Sequence, residues 1–384
     1  MGQRFKSCPL CGATEICDVF SMKNFPVLNN AVCKTAEEAL TYPVGELDFK
    51  TCMVCHFTWN DAFEHNRLTY DANYENNQSY SSLFLSHIDA VINEMRLATH
   101  SHVVEIGCGQ GYFLHRLKEL KGNYIDILLG FDPAVRHENR ELIRGMLDKK
   151  KFPAFFSPTH FISRHVIEHI DNINLFLSNI KENIPNAKFG FFETPDVDWI
   201  FENNAYYDFY YEHCSLFSAE ALCRAMHRVG FPYTVCKYLF GGQYLLVTGS
   251  YQQTRPNMAT DIVKRNSHPE SFKNNFSLYL EHWENLLLNA KATGKKIAVW
   301  GGASKCVAFL NHLKSKNISV DCVIDINPQK QGHYIPGTGT LIIPPHEKNI
   351  ADVDIVIISN SVYSEEIKRI CISLGYSPVF WELA

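Results

Sequence analysis

The sequence has no long apolar run: nothing in its 384 residues approaches the roughly 20 consecutive apolar residues that cross a bilayer as a helix. It also lacks an apolar stretch among the first residues of the kind that opens a secretory signal, and Lys6 stands where a myristoylation signal needs Ser or Thr. Positive charge is in deficit. The 36 Lys and Arg against 41 Asp and Glu leave a net charge of -5, so no global basic field exists to hold a phosphate backbone, and nucleic acid is not expected as a partner. Short-period repeats and low-complexity tracts are missing too. What is there is 46% hydrophobic and 20% charged, enough for two or three cored domains, which excludes a disordered or fibrous chain. A cytoplasmic protein with no membrane partner is the expectation.

Thirteen cysteines are an odd number in a long chain whose first residues lack a secretory-type apolar stretch, a poor fit to a disulfide scaffold. Four of them form two C-x-x-C pairs, Cys8 with Cys11 and Cys52 with Cys55. Two such turns facing each other make one tetrahedral thiolate site, which suits a structural Zn²⁺ because thiolates are soft ligands and a closed shell leaves no position for substrate. The competing readings are two unrelated pairs of core cysteines, or a redox pair, for which the surrounding βαβ pattern is missing. Cys17 and Cys33 read as ordinary core or loop thiols.

Apolar residues at helical spacing from Leu83 to Ala98 predict a lead-in helix. After it, His102 to Ile106 reads as a buried strand, Gly107, Gly109 and Gly111 as a tight turn, and Phe113, Leu114, Leu117 and Leu120 as a helix face. Apolar runs at Ile125 to Phe131, His160 to Ser163 and Lys188 to Phe192 alternate with helical stretches such as Ile173 to Ile184. The alternation predicts an α/β fold built on a parallel, doubly wound sheet. From about Ser250 to Lys296 the chain is polar and helical. A second strand-turn-helix follows at Ile297 to Trp300 and Gly301 to Lys305, with later strands at Val320 to Ile324 and Ile355 to Ile358, and this predicts a second Rossmann-like unit. Its turn lacks a complete G-x-G-x-x-G, so no second dinucleotide cofactor is expected there.

The turn Glu105 to Gly111 reads E-I-G-C-G-Q-G, and Asp132 follows the next strand. Missing side chains let a ligand approach the backbone, the helix start offers free N–H groups, and a carboxylate after the second strand can hold ribose hydroxyls. With this turn, the two cysteine pairs, R-H-V-I-E-H-I at Arg164 to Ile170, Y-D-F-Y-Y-E-H at Tyr207 to His213, and K-Q-G with P-G-T at Lys330 to Thr338, the chain resembles the S-adenosylmethionine-dependent class I methyltransferases. It is similar in particular to the sugar C-methyltransferases of deoxysugar biosynthesis. Those enzymes read Y-H-E-H where this chain has Tyr210-Tyr211-Glu212-His213, and G-G-S-L-R where it has Gly241-Gly242-Gln243-Tyr244-Leu245.

The resemblance implies a zinc-binding domain over 1–66, a methyltransferase domain over 67–250, a helical connector over 251–291 and a C-terminal Rossmann-like domain over 292–384. It implies S-adenosylmethionine at Glu105, Gly107, Gly109, Gly111 and Asp132, Zn²⁺ at the four cysteines, and a nucleotide-linked keto-sugar held between the two Rossmann-like domains, with the Lys330 to Thr338 loop beside the nucleotide. It places Tyr210, Glu212, His213 and His169 around the sugar. Carbon methylation needs such groups, since a carbon beside a ketone becomes nucleophilic when a base removes its proton and a donor stabilises the enolate. His213 and His169 suit proton transfer near neutral pH, Tyr210 can donate to an enolate oxygen, and Glu212 can accept from a sugar amine or hydroxyl. Other readings stay open: O- or N-methylation, a noncatalytic scaffold, a zinc-bearing RNA methyltransferase, an aromatic core cluster for Tyr207, Phe209, Tyr210 and Tyr211, and a helical metal pair for His165 and His169, which lacks an evident third ligand. Sugar, nucleotide, methylated position and oligomeric state are not encoded in any motif.

Overall fold

The computed structural model describes residues 5–68, 80–252, 265, 267–346 and 350–383. Strands β1 (Ile16–Pro26), β2 (Val44–Cys52) and β3 (Thr58–Asn60), with helix α1 (Ala36–Leu40) between the first two, form an antiparallel sheet near the start of the chain. Its fourth strand comes from far along the sequence: β9 (Ser215–Leu216) pairs antiparallel with β3. A boundary between 66 and 67 therefore cuts a continuous sheet.

The central sheet has seven strands: β4 (Ser101–Ile106), β5 (Ile125–Asp132), β6 (Leu142–Arg144), β7 (His160–Arg164), β8 (Phe189–Pro195), β10 (Tyr233–Leu239) and β11 (Tyr244–Ser250), in the order β10-β11-β8-β7-β4-β5-β6. Helices α2 (Ser82–Glu94), α3 (Tyr112–Lys121), α4 (Ile173–Asn183), α5 (Val197–Glu202) and α6 (Ala219–Val229) accompany it. The expectation of a parallel sheet is met by β4 to β8 and corrected at the edge, where β11 runs antiparallel to both neighbours. The reversal is made by a tight connection through Phe240, Gly241 and Gly242, all left-handed at φ 52°, 66° and 84°. Helix α2 covers the predicted lead-in helix but stops at Glu94, and it begins where the Ser81 hydroxyl accepts from the Phe84 N–H.

Helix α7 (Pro269–Ala292) supplies the described part of the connector; residues 253–264 and 266 of that segment lie outside the described residues. The third sheet is parallel throughout, in the order β14-β13-β12-β15-β16, from β12 (Ile297–Trp300), β13 (Cys322–Ile324), β14 (Ile342–Ile343), β15 (Ile355–Ile358) and β16 (Val379–Glu382), with helices α8 (Ser304–Lys314) and α9 (Ser364–Ser373). The apolar cores do not respect sequence segments. Phe20 and Phe49 of the first sheet pack in one cluster with Tyr206, Phe209, Trp283 and Phe309, while Phe57 and Trp59 join Phe217 and Leu222 in another. No helix of the described residues is long and apolar enough to cross a membrane.

Candidate active site

The glycine turn separates packing from binding. A Cβ at Gly107 would lie 2.1 Å from a Val166 methyl and one at Gly111 2.7 Å from Leu142, whereas Gly109 faces open space. All three have positive φ, so glycine is favoured on backbone grounds as well. Asp132, at the end of β5, accepts from the Gly109 N–H at 2.8 Å and from the Ala134 N–H at 2.7 Å, which fixes its carboxylate beside the open glycine. Glu105 is buried beneath the turn. Burial pushes its carboxyl up to about 8, opposed by Arg164, and its Oε2 has no hydrogen-bond partner among the described residues. An open glycine, a fixed carboxylate and a buried carboxyl oxygen without a partner among the described residues fit a ligand carrying hydroxyl and amino groups, as S-adenosylmethionine does.

A separate cleft lies between the central and C-terminal sheets, and it collects His169, Tyr210, Glu212 and His213. After β7 the chain turns through His165 at φ 51° into a 3₁₀ turn over Ile167–His169, so His165 and His169 do not share a helix face and the helical metal-pair reading is corrected. The turn instead presents Glu168 and His169 to His213, whose ring stands edge-on to that of His169 at 4.7 Å. Glu168, His169 and His213 have donor atoms within 4.8 Å of one another, a third ligand the sequence did not show. These groups have protein partners: Glu168 accepts from the Thr194 hydroxyl at 3.0 Å and pairs with His165 at 3.3 Å, and His213 Nε2 shares a 3.2 Å hydrogen bond with Tyr210.

The histidines are driven apart electrostatically. Burial, reinforced by His169, His165 and Lys305, holds His213 well below the ordinary imidazole pKa. For His165 burial works against charge, but Glu168 and Glu193 outweigh it and raise the ring to about 9. Burial pushes the Tyr210 hydroxyl well above its usual range, so it keeps its proton. Glu212 accepts from the Asn29 N–H at 2.9 Å, which carries the start of the chain to the cleft wall. The core and site readings of the tyrosine segment both hold, residue by residue: Tyr207, Phe209 and Tyr211 are core, and Tyr210 borders the cleft. Tyr211 fills a space that a Cβ on Gly45 would enter at 2.2 Å, and it bonds the Glu64 backbone.

From the C-terminal side, Lys305 pairs with Asp208 at 2.6 Å and lies over the rings of Trp199 and Tyr207. Neither member of that pair was singled out from the sequence for the other, because nothing local marks a partner 97 residues away. Glu366 of α9 accepts from the Ser81 hydroxyl at 2.7 Å and the Ser82 N–H at 3.1 Å, capping α2 from across the cleft. Of the Lys330 to Thr338 loop, only Lys330 borders the cleft. Its ammonium donates to Asn30 and to the Gly302 carbonyl, each at 3.1 Å, while Gly337 is tied to Ala39 and Lys314.

The four cysteines converge. Cys8 and Cys55 sulfurs are 3.8 Å apart, Cys11 and Cys52 3.5 Å, and all four lie within 4.8 Å. A tetrahedron with Zn–S bonds of about 2.3 Å has edges of this size, so the donor set fits Zn²⁺. The Ser218 hydroxyl donates to the Cys55 carbonyl at 2.8 Å and caps α6, fastening the cysteine turns to the central domain.

Residues 80–234 match the model of a methyltransferase domain, and residues 259–371 match that of a C-methyltransferase C-terminal domain. The chain is an S-adenosylmethionine-dependent methyltransferase with Rossmann-like sheets, and the second match supports methylation of carbon as its general chemistry. No curated relative matches. Similar solved structures include a possible histamine N-methyltransferase of Thermotoga maritima, at 19% identity over 44% of this chain and 89% of the other, with a TM-score of 0.32. Human N-acetylserotonin methyltransferase in complex with S-adenosylmethionine is 14% identical over 46% of this chain and 55% of the other, with a TM-score of 0.36. Likeness of that degree carries no argument about substrate.

Proposed function

We propose that this methyltransferase acts on a nucleotide-linked keto-sugar through an enolate-type intermediate, with His213 as the base. The observation that carries the reading is the meeting of a neutral imidazole and a protonated phenol, His213 and Tyr210, at the wall of a cleft shared by two Rossmann-like units. S-adenosylmethionine, held by Gly109 and Asp132 with Glu105 beneath, supplies an electrophilic methyl group when bound. His213 takes the proton from the carbon beside the ketone, and Tyr210 turns its hydroxyl proton toward the enolate oxygen. His169, edge-on to His213, relays the proton outward, and Glu212 with Asn29 shapes the sugar pocket. Zn²⁺ at Cys8, Cys11, Cys52 and Cys55 is structural, remote from these steps.

A methyl-transfer screen with labelled cofactor against nucleotide-linked sugars, both keto and reduced, followed by product NMR, tests this. Carbon-bound label on keto-sugars alone is the expected result. Label on oxygen or nitrogen makes the chain an O- or N-methyltransferase, with His213 deprotonating a hydroxyl or an amine.

A further inference from the structure

The turn after β12 repeats, bond for bond, the arrangement around Asp132. In the central domain the Gly107 N–H donates to the Phe131 carbonyl at 2.7 Å, Gly109 donates to Asp132 Oδ2 at 2.8 Å, and Ala134 donates to Asp132 Oδ1 at 2.7 Å. In the C-terminal domain the Gly301 N–H donates to the Ile324 carbonyl at 2.8 Å, Gly302 to Asp325 Oδ2 at 2.7 Å, and Asn327 to Asp325 Oδ1 at 2.8 Å. Each aspartate lies 23 residues after the glycine it binds. The first glycine of each turn is left-handed, at φ 78° and 97°. Each turn opens a helix, α3 or α8, whose first turn has no side-chain cap. The turns differ in three respects: the second is a residue shorter between its glycines, it has no complete dinucleotide fingerprint, and its aspartate-binding glycine, Gly302, is not left-handed as Gly109 is at φ 54°.

A carboxylate pinned through two backbone N–H groups at the end of the second strand keeps lone pairs for the paired hydroxyls of a ribose, and the adjoining helix start favours phosphate. Asp325 is 8% exposed, and with Gly301, Ser304 and Lys305 it borders the cleft that holds His213. We infer that Asp325 binds the 2′,3′-diol of a ribonucleoside, with its diphosphate toward the start of α8 and Lys305, so that the sugar-nucleotide substrate carries ribose rather than 2′-deoxyribose. This rests on the nucleotide-sugar reading and narrows its substrate class. Phosphate at α8 draws Lys305 from Asp208, because both groups already face the same space.

Calorimetry on the full chain, with S-adenosylhomocysteine filling the central site, compares UDP, CDP, ADP and GDP with their 2′-deoxy counterparts. At least one ribonucleotide binds once per chain, and loss of its 2′-hydroxyl weakens binding roughly 10- to 100-fold, the size expected for a hydrogen bond to a charged acceptor. Asp325→Asn brings ribo and deoxy forms to similar affinity, with the melting temperature as a check on folding. The wild-type comparison stands even where that variant does not fold. A nucleotide bound equally well with and without the 2′-hydroxyl overturns the diol assignment and leaves the nucleotide-sugar reading intact. Failure of all nucleotides to bind overturns both. Two S-adenosylhomocysteine molecules per chain, one lost in Asp325→Asn, overturn the inference by giving the diol site to a second cofactor.

Discussion

His213 and His165 border one cleft yet are held in opposite protonation states, and that contrast makes their roles separable. His213→Ala should fold and bind S-adenosylmethionine while slowing methyl transfer, and solvent deuterium exchange beside the ketone, by roughly 10²- to 10⁴-fold. Because its pKa is depressed, the wild-type rate should hold as pH falls past the ordinary histidine value, and the rate-pH profile checks this. His165 carries the opposite sign. Its folded pKa, about 9, exceeds the unfolded value of about 6.5, so its contribution to stability is complete below pH 6.5 and lost as pH rises through 9. His165→Asn, tolerable at φ 51°, should flatten that fall in melting temperature between pH 6.5 and 9. The glycine turn divides in the same way. Gly109→Ala should weaken cofactor binding in calorimetry at a folding cost of about 1–2 kcal/mol, whereas Gly107→Val drives a side chain into Val166 and should lower stability by about 1–3 kcal/mol more, read by thermal melting. The sequence singled out the three glycines but not this division, which depends on Val166, 59 positions after Gly107.

At the level of elements, β4, β5, β7, β8, β12, β13 and β15 were legible because apolar runs and glycine turns are local, whereas β6, β10, β11, β14 and β16 were not read as strands. Pairing escaped as well. The two-residue strand β9 has no period to read, and β10 and β11 look like any other apolar strands until the left-handed turn at Phe240 to Gly242 reverses the chain. The segment Tyr210 to His213 was singled out by its residue types and lines the cleft, but Lys305 with Asp208 and Glu366 with Ser81 join positions that sequence spacing does not relate. The cysteine turns were read correctly as converging, and their setting changes what they should do. Phe57 stacks edge-on to Phe217 at 5.0 Å, and Ser218 joins Cys55 to α6. On the zinc proposal, elemental analysis should find one zinc per wild-type chain and none in Cys52→Ser, and the variant should lower the melting temperature of the central domain too, as one transition and not as a separate early one.

Across the whole molecule, the cleft is closed by contacts that come from both sides. Glu366→Ala removes the acceptors at the start of α2, at a cost of about 1 kcal/mol, and hydrogen exchange should rise in the first turn of α2 far more than in β4 or β12. The pairing of β3 with β9 has a consequence for synthesis. During translation β3 leaves the ribosome roughly 150 residues ahead of its partner, which at about 5–20 residues per second means roughly 8–30 seconds with one edge bare. In that interval Phe57 has no Phe217 to cover it, and the Zn²⁺ proposed at Cys8, Cys11, Cys52 and Cys55 would be what ties the start of the chain to the β2–β3 turn until β9 arrives.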